Sequence, residues 1–440
     1  MNTAAPAFST ADHGSIWAAT APPGPACPKL EASVDVDAVV IGAGFTGLST
    51  ALNLRKAGVE VVVVEAAEPG WGASGRNNGQ VIPTLTRAEP DDIEAQHGEA
   101  GQRFVALVRD SASILFDTVR AHAIAAEAEQ TGWVQPAHTP GRVAISERRV
   151  KQWGQRGAPV ELLSATQVRE MLGSSAWYGG FWNRSGGHIN PLALARGLAR
   201  VVIDAGGRIY ARSPALSFAR VGDQWLVRTP AGQVRARALV LATNAYTGEF
   251  APSLAPRIAR EVVPVLSWQM ATLPLPEAVR ASVIPGRQAM SDTHGDLHFA
   301  RYDARHRLVT GGALVAPFNQ AERLKARIGQ RLQRLWPQIG NVRFDHVWNG
   351  YVAMTDNYMP RFHRLGPDAW AWAGCNGRAV GLAVALGGEF AKAVRGVPDR
   401  ELALPFTEPA PLPLHSLARR VAPLMLLRYR LLDRREIRAG

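Results

Sequence analysis

Two kinds of apolar pattern alternate along the chain. Residues 37–41 and 59–65 are short, continuous apolar runs with no polar face. Strands of that kind belong in the middle of a parallel sheet covered on both sides. Between them, residues 48–57 carry apolar side chains at helical spacing and stop at Gly58, which completes a βαβ unit. A second helix is predicted over 191–204, stopped by Gly206-Gly207, with one strand over 208–218 and a buried strand ending the run 234–243. Near the end, 369–373 reads as a strand, 374–377 as a turn and 379–394 as a helix. From 261 to 345 apolar and polar positions alternate, the signature of a half-exposed antiparallel sheet.

The pattern predicts an α/β chain (α+β overall) in which a Rossmann-like nucleotide-binding domain is built from residues 35–100, 181–260 and 346–398. A substrate domain, mostly antiparallel β-sheet, is inserted as 101–180 and 261–345. A proline-containing lead, 1–34, precedes these domains, and a basic tail, 399–440, follows them.

The first turn carries candidate chemistry. Gly42-Ala43-Gly44-Phe45-Thr46-Gly47 fits G-x-G-x-x-G directly after a strand and opens a helix. Gly42 allows the tight turn, Gly44 lets backbone approach a pyrophosphate, and Gly47 lets helix and strand pack closely. Unpaired N–H groups at the helix start favour an anion there. Glu65 ends the second strand, where a carboxylate accepts hydrogen bonds from ribose hydroxyls. Strand, glycines, helix, strand and acid agree, so dinucleotide binding is expected. Directly after the acid come Gly70-Trp71-Gly72-Ala73-Ser74-Gly75-Arg76-Asn77-Asn78-Gly79-Gln80, small and hydrogen-bonding residues able to wrap a large polar ligand.

Composition narrows the class. For a 440-residue chain, 47% hydrophobic and 20% charged residues is an ordinary globular composition. Its net charge of +12 comes from 49 basic residues, of which only Lys29, Lys56, Lys151, Lys325 and Lys392 are lysine. After Pro411 seven arginines face only Asp433 and Glu436; elsewhere the excess is scattered, so no nucleic-acid track is expected. Two cysteines form no disulfide framework, and no metal centre is expected to assemble from the 11 histidines through an H-x-x-x-H pair with a third ligand. Residues 1–33 lack the pattern of a secretory signal, and no apolar run is long enough to span a bilayer, so a cytoplasmic protein is expected.

The fingerprint, Glu65 and Gly-Ala-Ser-Gly-Arg-Asn-Asn-Gly-Gln together resemble the D-amino-acid-oxidase-type flavoproteins, most closely those acting on gamma-glutamylputrescine and L-pipecolate. The likeness runs through Ser15-Ile16-Trp17-Ala18-Ala19-Thr20, Ile189-Asn190-Pro191-Leu192, Ala242-Thr243-Asn244-Ala245-Tyr246, Trp348-Asn349-Gly350-Tyr351 and Gly374-Cys375-Asn376-Gly377-Arg378. It implies FAD, with Gly42, Gly44, Phe45, Thr46, Gly47 and Glu65 at the ADP half. Ala73, Ser74, Arg76, Asn77 and Gln80 fall on the ribityl and isoalloxazine side. Ala215 is implied at the adenine and Thr243 at the cofactor. Gly374, Asn376, Gly377, Arg378 and Val380 are implied at the pyrimidine edge, with a helix starting near Asn376 pointing its positive end at the site.

The implied reaction is oxidation of a C–N bond in a small amino acid or amine, with oxidative demethylation of an N-methyl amino acid, or action as a tRNA-modifying flavoprotein, as the alternatives. The implied acceptor is oxygen or a respiratory quinone carrier. Sarcosine-oxidase-type relatives carry a lysine in the strand matching Leu308-Val309-Thr310-Gly311 and a flavin-bearing cysteine near Tyr351. Neither is present, so fast use of oxygen is not implied and FAD is expected to be non-covalent. Arg301 is the first candidate for the substrate carboxylate, since its fork suits bidentate binding, and Tyr351 the second. Tyr246 and Trp133 read as core aromatics, His188, His298 and His346 as structural or surface residues, and Cys375 as an unreactive thiol. The tail is expected to pack on protein, with weak contact to a membrane surface as its other reading.

Overall fold

The computed structural model describes residues 14–315 and 318–439; the first thirteen residues of the lead lie outside that range. Ser33–Ile41 occupies the centre of an eight-stranded sheet, parallel to Val61–Val64 on one side and Gln233–Leu241 on the other. All four valines of Val61–Val64 are buried, as a central strand covered on both faces requires. Arg208–Tyr210 extends the sheet beyond them in parallel. On the far side Ala369–Ala373 continues in parallel and Arg361–Gly366 closes the edge antiparallel. The helices Phe45–Lys56, Pro191–Asp204 and Val380–Val394, with part of Pro90–Ala121, share one apolar core with this sheet. Gly387 lets two of them touch, since a Cβ there would stand 2.4 Å from Ser49 Cβ.

The single strand expected over 208–218 is two strands. The chain leaves the sheet after Tyr210, passes Arg212 at φ +50° and Pro214, and resumes as Ser217–Val221 in a hairpin with Gln224–Arg228. A left-handed arginine and a proline cannot continue a ladder. The helix expected near Asn376 begins at Val380, because Asn376 (φ +46°) and Gly377 (φ +80°) are left-handed.

A second eight-stranded sheet runs in the order Phe344–Met354, Val263–Thr272, Leu308–Gly312, Phe299–Tyr302, Ala289–Ser291, Trp133–Pro136, Gly179–Asn183, Val160–Ser164. Every pairing in it is antiparallel except Ala289–Ser291 with Trp133–Pro136. Within the stretch read as strands lies the helix Gln320–Leu335, whose buried Leu324, Ile328 and Leu332 recur every four residues. That period was present in the sequence and outweighs alternation there. The boundaries drawn at 346 and 181 fall inside strands of this second sheet, and residues 101–121 belong to the kinked helix Pro90–Ala121, packed against Val380–Val394. Among the described residues no helix is long and apolar enough to cross a membrane.

Candidate functional site

A cavity of about 470 Å³ opens where the C-terminal ends of the central parallel strands meet the second sheet. That is where open α/β sheets hold ligands. Gly42, at φ +106°, makes the turn out of Ser33–Ile41, and Phe45 and Thr46 bring the start of their helix into the wall. A Cβ on Gly47 would stand 1.9 Å from Gly42 O, so Gly47 lets the helix and turn approach and does not itself line the cavity. Glu65 sits in the wall with its carboxylate accepting from Ala43 N at 2.6 Å and Ala67 N at 2.9 Å. Burial pushes its carboxyl above the ordinary range, and these amide bonds oppose that.

Most of the predicted cofactor positions come together here. Gly44, Ala73, Ser74, Arg76, Asn77, Gln80, Ala215, Thr243, Gly377, Arg378 and Val380 join Gly42, Phe45, Thr46 and Glu65 around one space. Ala215 reaches it because the chain leaves the sheet between Tyr210 and Ser217. Gly374 and Asn376 stand behind the wall: the Asn376 carboxamide accepts from Thr355 N at 2.9 Å and donates to Gly374 O at 2.9 Å, which shapes the turn. The space fits a large polar ligand. Thr46 Oγ1, Asn78 Oδ1 and Gln80 Oε1, all on lining residues, are buried without a hydrogen-bond partner among the described residues. Buried polar atoms demand such a partner, and a dinucleotide supplies several.

Three consecutive carbonyls of the wall loop are held from outside. Trp348 Nε1 donates to Arg76 O at 2.8 Å, Trp17 Nε1 to Asn77 O at 2.9 Å, and Arg301 Nε to Asn78 O at 2.8 Å. The expectation that Arg301 binds substrate is therefore corrected. Its remaining nitrogens donate to Tyr302 O and Ile189 O, both at 2.8 Å, its guanidinium lies 4.4 Å from the Trp17 ring centroid, and it is 1% exposed and absent from the wall. Burial pushes it down to about 10. Arg301 is a clasp for the loop. Tyr351 does line the cavity, its ring 5.5 Å from that of Tyr246, whose hydroxyl accepts from Tyr351 N at 3.3 Å. Tyr246 lines it too, so it is a wall residue and not only core.

With Arg301 occupied, Arg76 and Arg378 are the cationic side chains in the wall. Arg76 lies over Trp71 at 4.4 Å and donates to Trp71 O at 2.7 Å. Arg378 is buried, 4.9 Å from the Trp133 ring, and donates to Thr84 Oγ1 at 3.3 Å and Leu85 O at 3.1 Å. Burial, and then the neighbouring Arg149, push it down to about 9. The contrast with Arg149 is instructive: that buried arginine holds Glu89 at 2.7 Å, whereas Arg378 bonds no carboxylate among the described residues.

Sequence reasoning missed several wall residues of the second sheet, among them Ser267, Gln269, Ser291 and Phe299, because pairing across strands, not any local motif, brings them to the cavity. Leu426 of the tail also lines it. Cys375 is a half-buried wall residue, its Sγ 3.9 Å from Ala353 O. The histidine expectation needs correction as well. His294 and His298 have the H-x-x-x-H spacing, and both turn Nδ1 toward the fully buried Asp292, at 2.7 and 3.3 Å. The shorter contact is a hydrogen bond, and the three residues offer ligand atoms within 4.8 Å of one another, a grouping that could hold a metal ion. Of the other histidines singled out from the sequence, His188 is buried with Nε2 3.0 Å from Arg287 O, and His346 lies beside Asp345.

Comparison with known proteins agrees with this geometry. Residues 37–393 match the family model described as DAO, FAD dependent oxidoreductase. The chain is 31% identical over 393 residues to gamma-glutamylputrescine oxidoreductase of Escherichia coli (strain K12), covering 89% of this chain and 91% of that protein. Its fold superposes on L-proline dehydrogenase from P. horikoshii with a TM-score of 0.72 at 18% identity, covering 86% of this chain and 98% of that one. Glycine oxidase from Geobacillus kaustophilus gives 0.68 at 18% identity, covering 82% and 95%. The chain belongs to the DAO family of FAD-dependent oxidoreductases.

Proposed function

We propose that this enzyme oxidises the C–N bond of a small amino acid or amine that bears a carboxylate, such as L-pipecolate or gamma-glutamylputrescine. The observation that carries the reading is Arg378, a buried cation in the cavity wall with no bonded acid. Glu89 favours the charged form of Arg378 but is bonded to Arg149; a buried charge without an acid of its own is costly, and an incoming carboxylate would remove that cost while being oriented by the guanidinium fork. FAD, when bound, would supply the two-electron sink for this oxidation, whose imine product water would hydrolyse. The protein's part is placement. The fingerprint turn, Glu65 and Ala215 would hold the ADP half, and Ser74, Arg76, Asn77 and Gln80 the flavin side. Val380 opens a helix whose N–H groups favour negative charge at the pyrimidine edge. Tyr351, Leu266, Phe299 and Leu426 make an apolar wall that keeps water from the reacting carbon. Ser267, Gln269 and Ser291 add polar side chains to the same wall.

The test is anaerobic. Mixed with cyclic and linear amino acids, N-methyl amino acids and polyamine conjugates, the holoenzyme's visible flavin band is expected to bleach with carboxylate-bearing amines. Bleaching by N-methyl amino acids alone would move the reading to demethylation, and no bleaching by any of them would overturn it. Admitting air then separates oxygen from a quinone-type carrier as acceptor. FAD is proposed to be non-covalent, although Cys375 stands in the wall. Acid precipitation is expected to leave the yellow colour in the supernatant and a colourless pellet; colour retained in the pellet of wild type and lost in Cys375→Ser would reverse this.

A further inference from the structure

The C-terminal helix His415–Ala439 is docked the wrong way round for a helix that merely covers its own protein. Its inward face is polar. Asp433 accepts from Gly295 N at 2.9 Å and Asp296 N at 3.2 Å, and Arg430 donates to Asp296 and to Ala313 O. Glu436 forms a two-bond pair with Arg142 at 2.7 and 2.5 Å, and the Tyr429 hydroxyl meets that of Tyr358. Arg419 reaches Glu249 and His415 reaches Val262 O at the other end. Apart from Leu426 and Tyr429, which face inward, the large apolar side chains are mostly exposed. Of fifteen exposed large hydrophobic residues among the described part of the chain, eight lie on this helix and a ninth, Leu414, immediately before it, so the exposure is concentrated here. Leu417, Leu424 and Leu431 are 54%, 53% and 55% exposed and repeat every seven residues along its outer side. Arg420, Arg428 and Arg435 interleave with them and are also exposed.

A helix packed on a globular protein for its own sake turns its apolar stripe inward. Here both acids of the helix are spent on inward contacts, so the outer face carries apolar side chains and positive charge without an acid. That charge decides the occupant. A second copy packed face to face would oppose rows of arginines with no acid between them. An anionic lipid surface offers hydrocarbon to the leucines and phosphates to the guanidinium groups, whose stems reach along the apolar face to the headgroups.

We propose that the outer face of His415–Ala439 docks in the plane of an anionic membrane surface, without crossing it. The proposal rests on the helix alone and is independent of the substrate reading. Because Leu426 of the same helix lines the cavity, docking sets one edge of the cavity against the bilayer.

Flotation of the holoenzyme with vesicles of phosphatidylcholine, with or without phosphatidylglycerol, tests it, protein and flavin being followed separately. At about 0.1 M salt, where surface charge is still felt over a Debye length, binding is expected with anionic vesicles and at least about tenfold less with neutral ones. Leu417→Asn/Leu424→Asn/Leu431→Asn is expected to weaken binding at least about tenfold with flavin content unchanged. Arg420→Gln/Arg428→Gln/Arg435→Gln should remove the preference for anionic lipid. No flotation of wild type at low salt overturns the proposal, as does flotation that the leucine variant leaves intact. A dimer by light scattering that the leucine variant converts to monomer, without vesicle binding by either, would assign the face to a second copy instead.

Discussion

Arg378→Met is expected to raise KM for the substrate by about a hundredfold while the protein keeps its flavin and its fold. The magnitude follows from what a buried guanidinium gives a carboxylate. A hydrogen bond to a charged group is worth about 1.5–3 kcal/mol, and each 1.4 kcal/mol is about tenfold in affinity. Methionine fills much of the same space, and removing a cation that bonds no acid among the described residues takes away a buried charge as well as two hydrogen bonds to Thr84 and Leu85. Binding that is equal in ground and transition states appears in KM alone, so flavin reduction at saturating substrate should stay within a few-fold of wild type. Arg378→Lys, with charge but no fork, should fall between the two. The measurement is anaerobic reduction of the flavin against substrate concentration. An unchanged KM in Arg378→Met together with a raised one in Arg76→Met would give the carboxylate to Arg76, the other cation of the wall.

How far the sequence could be read depended on whether the deciding contacts were local. The turn Gly42 to Gly47, the acid at Glu65 and the loop through Gln80 lie within one unbroken stretch: dinucleotide binding by the turn and the acid was readable from spacing, and the loop's part was implied by the family resemblance. The inserted antiparallel sheet was legible as alternation, but Gln320–Leu335 was not separated from it, although Leu324, Ile328 and Leu332 held a helical period. The break at Arg212 depends on a backbone sign that residue type does not announce. The spacing of His294 and His298 is in the sequence, but only the fold turns both rings onto Asp292, two residues before His294. Arg301 failed for a different reason. A long cation in a strand beside the expected site invites a ligand role, while its actual acceptors, Asn78 O and Ile189 O, are carbonyls brought from distant parts of the chain. Only the assembled fold says that its hydrogen bonds are already used.

Arg301→Leu is accordingly expected to damage the loop and the flavin, not substrate recognition. The change strands Asn78 O and Ile189 O in a buried site, and each unsatisfied group costs about 1–3 kcal/mol, so a loss of stability on the order of 3 kcal/mol is expected. The consequence for the site is directional. Asn78 O is one of three adjacent carbonyls clasped by Arg301, Trp17 and Trp348, and Gly79 fits only because it has no Cβ, which would stand 2.4 Å from an Arg301 nitrogen. Releasing one clasp loosens the segment from Arg76 to Gln80, which we propose as the flavin side of the cavity. Purified Arg301→Leu should therefore carry markedly less FAD and unfold at lower denaturant, while the molecules that retain flavin keep a KM within a few-fold of wild type. Arg301→Lys should recover little, since one ammonium cannot serve carbonyls on three sides of a planar fork. Flavin content by absorbance ratio, a denaturant midpoint and KM on the flavin-bearing fraction separate the two roles. An Arg301→Leu protein with full flavin content and unaltered stability but a hundredfold higher KM would restore Arg301 to the substrate and take the carboxylate from Arg378.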